Sequence, residues 1–579
     1  MSAPGATEAP PLPELDQLVK RPKPPASTLT AAGLLLALLA FAVWSLAEVG
    51  FTAETFTESA GKVGPFLDRM LPLQFPPAAD LLRSIGITLG VVLCGTVLSA
   101  VLSVPVAYIS ARNTSPAPWL VPVGRAIGVV ARAVPDVVLA MLFVLLFTLG
   151  SLPGILAIAL HSIGMISKLF ADAIEQIDEG PRQAVRATGA ARGQEFLAGI
   201  LPQVLPSWIA TTLHRSDINL RGSVLLGYAG IIGLGYDLRL ALESLNYHLA
   251  MALALVIFGL CVLFEIASTV IRAQLLGVAP SGRGIGARVA RRLPSSTSVR
   301  DADGALVADG ARAPDGVAAA MRRPWTRDRV RSTTAIAATV AVAVAAVIGS
   351  QAHWLDLFSF WTEIPYLLER TWPPSIEPRT WTNVFDALLV TLEIAAAATL
   401  LSTVVSLLIG PLAARNAAPN RPVRLAARLL LLVVRSIPEL ILAIVLIIIT
   451  GLGPQAGTIA LAFVGVGLLG KLIADSLEEA PLGPQLAVQS VGGTRTQVFF
   501  AAGARLSVPA LVGHTLYLFD SNIRSATVLG IVAAGGIGYY LIDATRVSRY
   551  DQVTAFVIVL VLATLVVEGL SLVIRRALR

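Results

Sequence analysis

Residues 518–541 read LFDSNIRSATVLGIVAAGGIGYYL, and residues 215–238 read RSDINLRGSVLLGYAGIIGLGYDL. Asp217, Asn219, Arg221, Gly227, Gly233 and Gly235 precede Asp520, Asn522, Arg524, Gly530, Gly536 and Gly538 by 303 positions each. Charges inside such apolar, glycine-rich runs need a reason, because ionisable groups at membrane depth are costly and face an interior, a cavity or a substrate path. A feature of that kind present twice points to one site built from two halves.

The correspondence extends outward without a gap over most of residues 88–238. Thr88 matches Thr391, Ala111-Arg112-Asn113 matches Ala414-Arg415-Asn416, Arg132 matches Arg435, Pro135 matches Pro438, Lys168 matches Lys471 and Asp172 matches Asp475, all at an offset of 303. Identity in register over such a length is duplication.

Composition sets the class. Of 579 residues, 55% are hydrophobic and 14% charged, far below the ~25% charged of soluble domains. The chain reads as an all-α polytopic membrane protein. Residues 274–331 hold eleven Arg and five Asp, and so nearly all of the formal net charge of +7. That placement suits a cytoplasmic loop under the positive-inside rule and gives no nucleic-acid partner, which needs a folded basic face. The two cysteines, Cys94 and Cys261, lie in apolar runs and imply neither a disulfide framework nor a metal site.

Apolar runs long enough to span a bilayer occur near 29–50, 84–110, 126–149, 152–170, 206–235 and 249–272, and again near 333–350, 386–413, 429–450, 455–473, 509–537 and 553–574. The first, behind Lys20, Arg21 and Lys23, reads as an uncleaved membrane helix rather than a signal peptide. Twelve crossings follow, in four segments: a cytoplasmic N-terminal tail (1–28), a first six-helix unit (29–273), a cytoplasmic Arg-rich linker (274–331) and a second six-helix unit (332–579). Both termini are expected in the cytoplasm. An even number of crossings per unit gives both the same orientation, hence a parallel pseudo-two-fold along the membrane normal with a pathway on the axis.

Trp354, Trp361 and Trp372 in the outer loop 351–384 suit an interfacial aromatic belt. Arg125 and Arg132, and Arg421, Arg424, Arg428 and Arg435, form stripes ahead of each third helix, suited to anchoring against membrane lipid. Residues 465–471, GVGLLGK, imitate a phosphate-binding loop, but Leu472 stands where Ser or Thr would meet magnesium and the run is an apolar helix. The chain itself is not expected to bind ATP.

Between the fourth and fifth helices of each unit lies a polar segment, 171–205 and 474–508. Gly180-Pro181 and Gly483-Pro484 open a short helix, and Gly189 and Gly492 are placed to end it, giving a helix-turn-helix that can seat in a partner's cleft.

Gln183-Ala184-Val185, Gly189 and Leu201-Pro202 resemble the coupling loop of ABC importer permeases, whose motif reads Glu-Ala-Ala, a glycine and a later Leu-Pro. Ala184 with Gly189 and Ala487 with Gly492 keep the pattern, whereas Gln183 and Leu486 replace its Glu, and Ala504-Arg505 replace the second Leu-Pro. The Asn-x-Arg-x5-Gly and Gly-Gly-x-Gly pattern of 520–538, with Arg-Ala-Val-Pro-Asp at 132–136 and Arg-Ser-Ile-Pro-Glu at 435–439, resembles the PhnE-type phosphonate permeases. The resemblance implies two tandem type I permease units fused in one chain. It also implies a cytoplasmic ATPase dimer that binds ATP and magnesium, an extracytoplasmic substrate-binding protein, and a phosphonate, phosphate or phosphite anion as cargo.

Counted from Pro206 and Pro509 as helix starts, Asp217 and Asp520 lie about 16 Å in and Arg221 and Arg524 about 22 Å in, at 1.5 Å per residue. Each Asp can pair with its Arg four residues on, which by itself would only hold the bundle together. The arginines, with Asn219 and Asn522, are equally suited to lower the barrier for an anion, because a guanidinium offers paired donors to an oxyanion edge. An importer of another small polar solute, or a secondary transporter driven by an ion gradient, remains the alternative.

Overall fold

The computed structural model describes residues 26–50, 61–62, 64–65, 68–147, 149–276, 327–377, 381–451 and 453–577. Most of the expected N-terminal tail and Arg-rich linker therefore lies outside the described residues.

The first repeat comprises α1 (Ala26–Glu48), α2 (Ala78–Ser110), α3 (Leu120–Ala133), α4 (Asp136–Phe147), α5 (Ser151–Glu175), α6 (Glu179–Ala187), α7 (Arg192–Glu195), α8 (Leu201–Leu226), α9 (Leu234–Glu243) and α10 (Tyr247–Leu276). The second comprises α11 (Arg327–Gly349), α12 (Asp356–Thr371), α13 (Trp381–Ala413), α14 (Arg421–Ser436), α15 (Glu439–Thr450), α16 (Pro454–Glu479), α17 (Leu482–Ser490), α18 (Arg495–Val498), α19 (Arg505–Leu529), α20 (Ile537–Arg546) and α21 (Tyr550–Ala577). The described residues contain eight helices long and apolar enough to cross a membrane, or up to eleven if each bent pair is one span. Of the helix expected over 333–350, the apolar stretch is Val340–Gly349.

Three sequence expectations are corrected. The third crossing of each repeat is not one helix: α3 meets α4 at 86° and α14 meets α15 at 76°. Pro135 and Pro438 cause the breaks, since a proline disfavours the helical conformation of the residue before it and lacks an N–H. Accordingly Val134 and Ile437 are extended, with ψ of 123° and 122°. The outer loop 351–384 is not all loop, because it contains α12. Pro206 and Pro509 do not start their helices either, since α8 begins at Leu201 and α19 at Arg505, each fed by a π-turn at Phe196–Ile200 or Phe499–Ala504. Asp217 thus stands about 24 Å along α8 and Asp520 about 22 Å along α19.

Small residues set the packing. A side chain at Gly95 would meet Ile158 at 2.9 Å, and one at Gly410 would meet Ile473 at 2.7 Å. Such contacts bring α2 against α5 and α13 against α16, the close approach expected where helices pack by shape in lipid. The largest core cluster takes residues from both repeats, including Leu220, Val224, Leu440 and Ile523, so the two units share one interior.

Each repeat's first helix packs on the other repeat. The helix α1 lies against α13 and α21, with Ala31 in one cluster with Leu516 and Ile574. Conversely α11 lies against α2, where Gly90 leaves room for the Ser350 backbone that follows it. Hydrogen bonds from Gln455 Nε2 to the Gly50 carbonyl (3.0 Å) and from Arg83 Nη2 to Gln351 Oε1 (3.2 Å) fix the exchange.

Candidate functional site along the pseudo-two-fold

The charged helices α8 and α19 bring the predicted acidic and basic residues together as pairs. Arg221 Nη2 lies 2.5 Å from Asp217 Oδ2, and Arg524 Nη1 lies 2.8 Å from Asp520 Oδ2. Both pairs run along one helix face at a spacing of four. The pairing is incomplete: Asp217 Oδ1, Asp520 Oδ1 and Arg221 Nε are buried without a hydrogen-bond partner. Leaving such groups unsatisfied costs roughly 1–3 kcal/mol each.

The two asparagines serve a different contact. Asn219 Nδ2 donates to Thr96 Oγ1 (2.9 Å), and Asn522 Nδ2 donates to Thr399 Oγ1 (2.9 Å). Asn219 Oδ1 also accepts from Ser162 Oγ at 3.2 Å. Each asparagine thus fixes the rotation of its helix against the second long helix of its own repeat, rather than pairing with the arginine.

Ion pairs between repeats surround the arginines. Arg132, at the end of α3, pairs with Glu568 on α21, and Arg435, at the end of α14, pairs with Glu265 on α10. Glu265 and Glu568 are themselves 303 residues apart, so that offset was the sequence signal for two site residues the sequence reading misses. On one side the network goes further: Arg221 Nη1 donates to the Arg435 carbonyl at 2.9 Å, and its Nη2 lies 3.7 Å from Glu265 Oε2.

Glycines end both charged helices. A side chain at Gly227 would run into the backbone of Gly235 and Tyr236, and one at Gly538 into the Thr527 carbonyl. The close approach folds α9 and α20 back on the helices before them. Thr88 Oγ1 then accepts from the Leu234 amide (3.0 Å) and Thr391 Oγ1 from the Ile537 amide (2.9 Å), supplying an acceptor at each new helix start.

At the opposite end of α8 and α19 lie the polar loops. The short helix α6 carries Gly180, Pro181 and Ala184, and its N-cap Asp178 accepts from the Gly180 amide at 2.9 Å. Its partner α17 carries Gly483, Pro484 and Ala487. Gly189 and Gly492 follow with φ of +81° and +84°, the left-handed conformation that ends helices and favours glycine. All eight residues are exposed. Arg182 holds α6 to α7 through Glu195 (2.5 Å) and pairs within α6 with Glu179 (2.9 Å), whereas its buried counterpart Gln485 donates only to the Pro481 carbonyl at 3.5 Å. The π-turns then lead directly into α8 and α19, joining each loop to an arginine-bearing helix. The run 465–471 lies inside α16, so it has no phosphate-binding turn.

Comparison with known proteins agrees with this layout. The family described as binding-protein-dependent transport system inner membrane component matches residues 103–276 and again residues 406–579. The chain is 39% identical over 523 residues to the phosphate-import permease protein PhnE of Mycolicibacterium smegmatis, covering 90% of each chain. It is 35% identical over 220 residues to the phosphite transport system permease protein PtxC of Stutzerimonas stutzeri, covering 38% of this chain and 80% of that one. It is 35% identical over 121 residues to the putative cryptic phosphonate transport system permease protein PhnE2 of Escherichia coli, covering 21% of this chain and 99% of that one. With two family units in tandem on a shared helical core, the chain belongs to the binding-protein-dependent transport system inner membrane components.

Proposed function

We propose that the chain forms, between its two repeats, the translocation pathway of an importer for a phosphorus oxyanion: phosphate, phosphite or a phosphonate. The observation that carries this reading is the placement of Arg221 and Arg524 on helices continuous with the two exposed helix-turn-helix loops. Motion imposed on a loop is transmitted through the π-turn to an arginine suited to oxyanion edges. The relatives, which are phosphate, phosphite and phosphonate permeases, supply the substrate class.

In this reading a cytoplasmic ATPase dimer docks on the loops and binds ATP and magnesium, while an extracytoplasmic binding protein delivers the anion. The chain sits in the cell membrane with both termini in the cytoplasm. The arginines attract cargo, and Asp217 and Asp520 moderate the field so that the anion is not trapped, since conduction requires binding weak enough to release. The test is uptake of radiolabelled phosphate, phosphite and methylphosphonate by cells expressing the complete transporter, against cells lacking this chain. Accumulation of one of the three in the first cells alone is expected, and accumulation of none overturns the proposal.

A further inference from the structure

The two exposed loops share a shape and differ in chemistry. Each short helix rests on its own repeat through one residue: Arg182 in α6, whose backbone a side chain at Gly199 would meet at 3.0 Å, and the buried Gln485 in α17. At 3.6 residues per turn the opposite crest carries small residues, Gly180, Ala184 and Ala187 in α6 and Gly483, Ala487 and Ser490 in α17. All six are exposed, so both crests present the same narrow ridge.

The row beside the crest is where the loops part. In α6 it reads Glu179, Gln183 and Arg186, and at the 303 offset in α17 it reads Leu482, Leu486 and Gln489. Leu482 is 63% exposed and Leu486 59%, and Val491, in place of Thr188 just past the helix, is 83% exposed. In the first loop Glu179 is held by Arg182 and by Asn113 Nδ2 (3.1 Å), whereas Arg186 is exposed and makes no ion pair among the described residues.

Large apolar side chains grouped on an exposed loop mark a surface that something else covers. Lipid does not suit, because the matching row of the matching helix would then set Glu179 and Arg186 against hydrocarbon. We infer that the ATPase dimer is held unequally: α17 docks through Leu482 and Leu486 by apolar contact, and α6 docks through Arg186 by charge. The ATPase surface that fits both is a cleft with an apolar wall, which the second loop uses, and a carboxylate on its rim, which Arg186 uses. The inference rests on the reading that the ATPase docks on these loops, and it assigns each loop its own chemistry.

Salt separates the two contacts. The test uses the complete transporter in detergent, with the permease chain immobilised and retained ATPase measured at about 0.1 M and about 1 M NaCl, where screening lengths are roughly 10 Å and 3 Å. Leu482→Gln with Leu486→Gln removes the apolar row, and Arg186→Gln copies Gln489. All three side chains are exposed, so the isolated chain is expected to keep its thermal stability. The leucine pair is expected to cost about tenfold or more in ATPase affinity at high salt, the scale set by burying two leucine side chains. Arg186→Gln is expected to lose affinity at low salt and to match the wild type at high salt.

Full retention by the leucine pair at high salt overturns the inference and places those side chains against lipid, and the same salt response in both variants overturns it too. If Gly189→Glu and Gly492→Glu release the ATPase while the leucine pair does not, only the unequal docking fails. If the glycine variants also retain it, the docking reading itself fails.

Discussion

Glu265 and Arg435 form an ion pair across the boundary between the repeats, and Glu568 and Arg132 form the reciprocal pair 303 residues away. All four side chains are largely buried. Breaking such a pair by neutralising one partner strands a charge and costs about 3–5 kcal/mol. Glu265 also lies 3.7 Å from Arg221, whereas Glu568 has no corresponding ion pair with Arg524 among the described residues. Glu265→Gln is therefore expected to lower the thermal unfolding temperature in detergent more than Glu568→Gln. Equal shifts would show that the Arg221 contact adds nothing to the boundary.

Neutralising the duplicated arginines separates transport from assembly. Arg221→Ala with Arg524→Ala strands Asp217 and Asp520 and lowers stability, yet is expected to abolish uptake by the folded complex while it still assembles and hydrolyses ATP, because both side chains lie away from the exposed loops. Labelled phosphate uptake and ATP hydrolysis on one vesicle preparation check this. Normal uptake would mean that the Asp-Arg pairs only hold the bundle.

The asparagines are expected to respond differently. Asn219→Ala removes the amide that donates to Thr96 Oγ1 and the acceptor of the Ser162 hydroxyl, and Asn522→Ala removes the amide that donates to Thr399 Oγ1. Each should destabilise by roughly 1–3 kcal/mol and leave uptake by the correctly folded fraction near normal. Normalising uptake to folded chain, quantified by size-exclusion chromatography, checks it. A tenfold loss after normalisation would put the asparagines on the pathway.

Much of this architecture is legible in the chain because its signals are local. A charge inside an apolar run is conspicuous whatever surrounds it, which is why Asp217, Arg221, Asp520 and Arg524 announce themselves. Gly189 and Gly492 are legible for the same reason, since a helix-ending glycine acts within one turn. The breaks at Pro135 and Pro438 are less so: an apolar run keeps its hydropathy through a bend of 86° or 76°, and length alone reads it as straight. Exchange of α1 and α11 leaves no local trace, because lipid-like helices do not specify by composition which neighbour they meet. Glu265 and Glu568 escape because they lie beyond residue 238, where the matched register is traced no further.

The exposed loops offer a test of how motion reaches the arginines. Gly189 and Gly492 hold φ of +81° and +84° with open space where a side chain would begin, so a larger residue meets backbone strain and no collision within the chain. That strain is about 1–2 kcal/mol for a non-glycine residue, too little to unfold the protein but enough to displace α6 or α17, and a glutamate there adds a charged side chain on the surface assigned to the ATPase. Gly189→Glu or Gly492→Glu should therefore lower ATPase co-purification or stimulated ATP hydrolysis severalfold while leaving the thermal stability of the isolated chain within a few degrees. Arg182 ties α6 to Glu195 on α7, so the first loop resists displacement, whereas Gln485 at the matching place in the second carries no charge to form such a pair. Gly492→Glu is accordingly expected to be the more damaging of the two. Retained binding and normal stimulated hydrolysis in both variants would remove these loops from the ATPase contact.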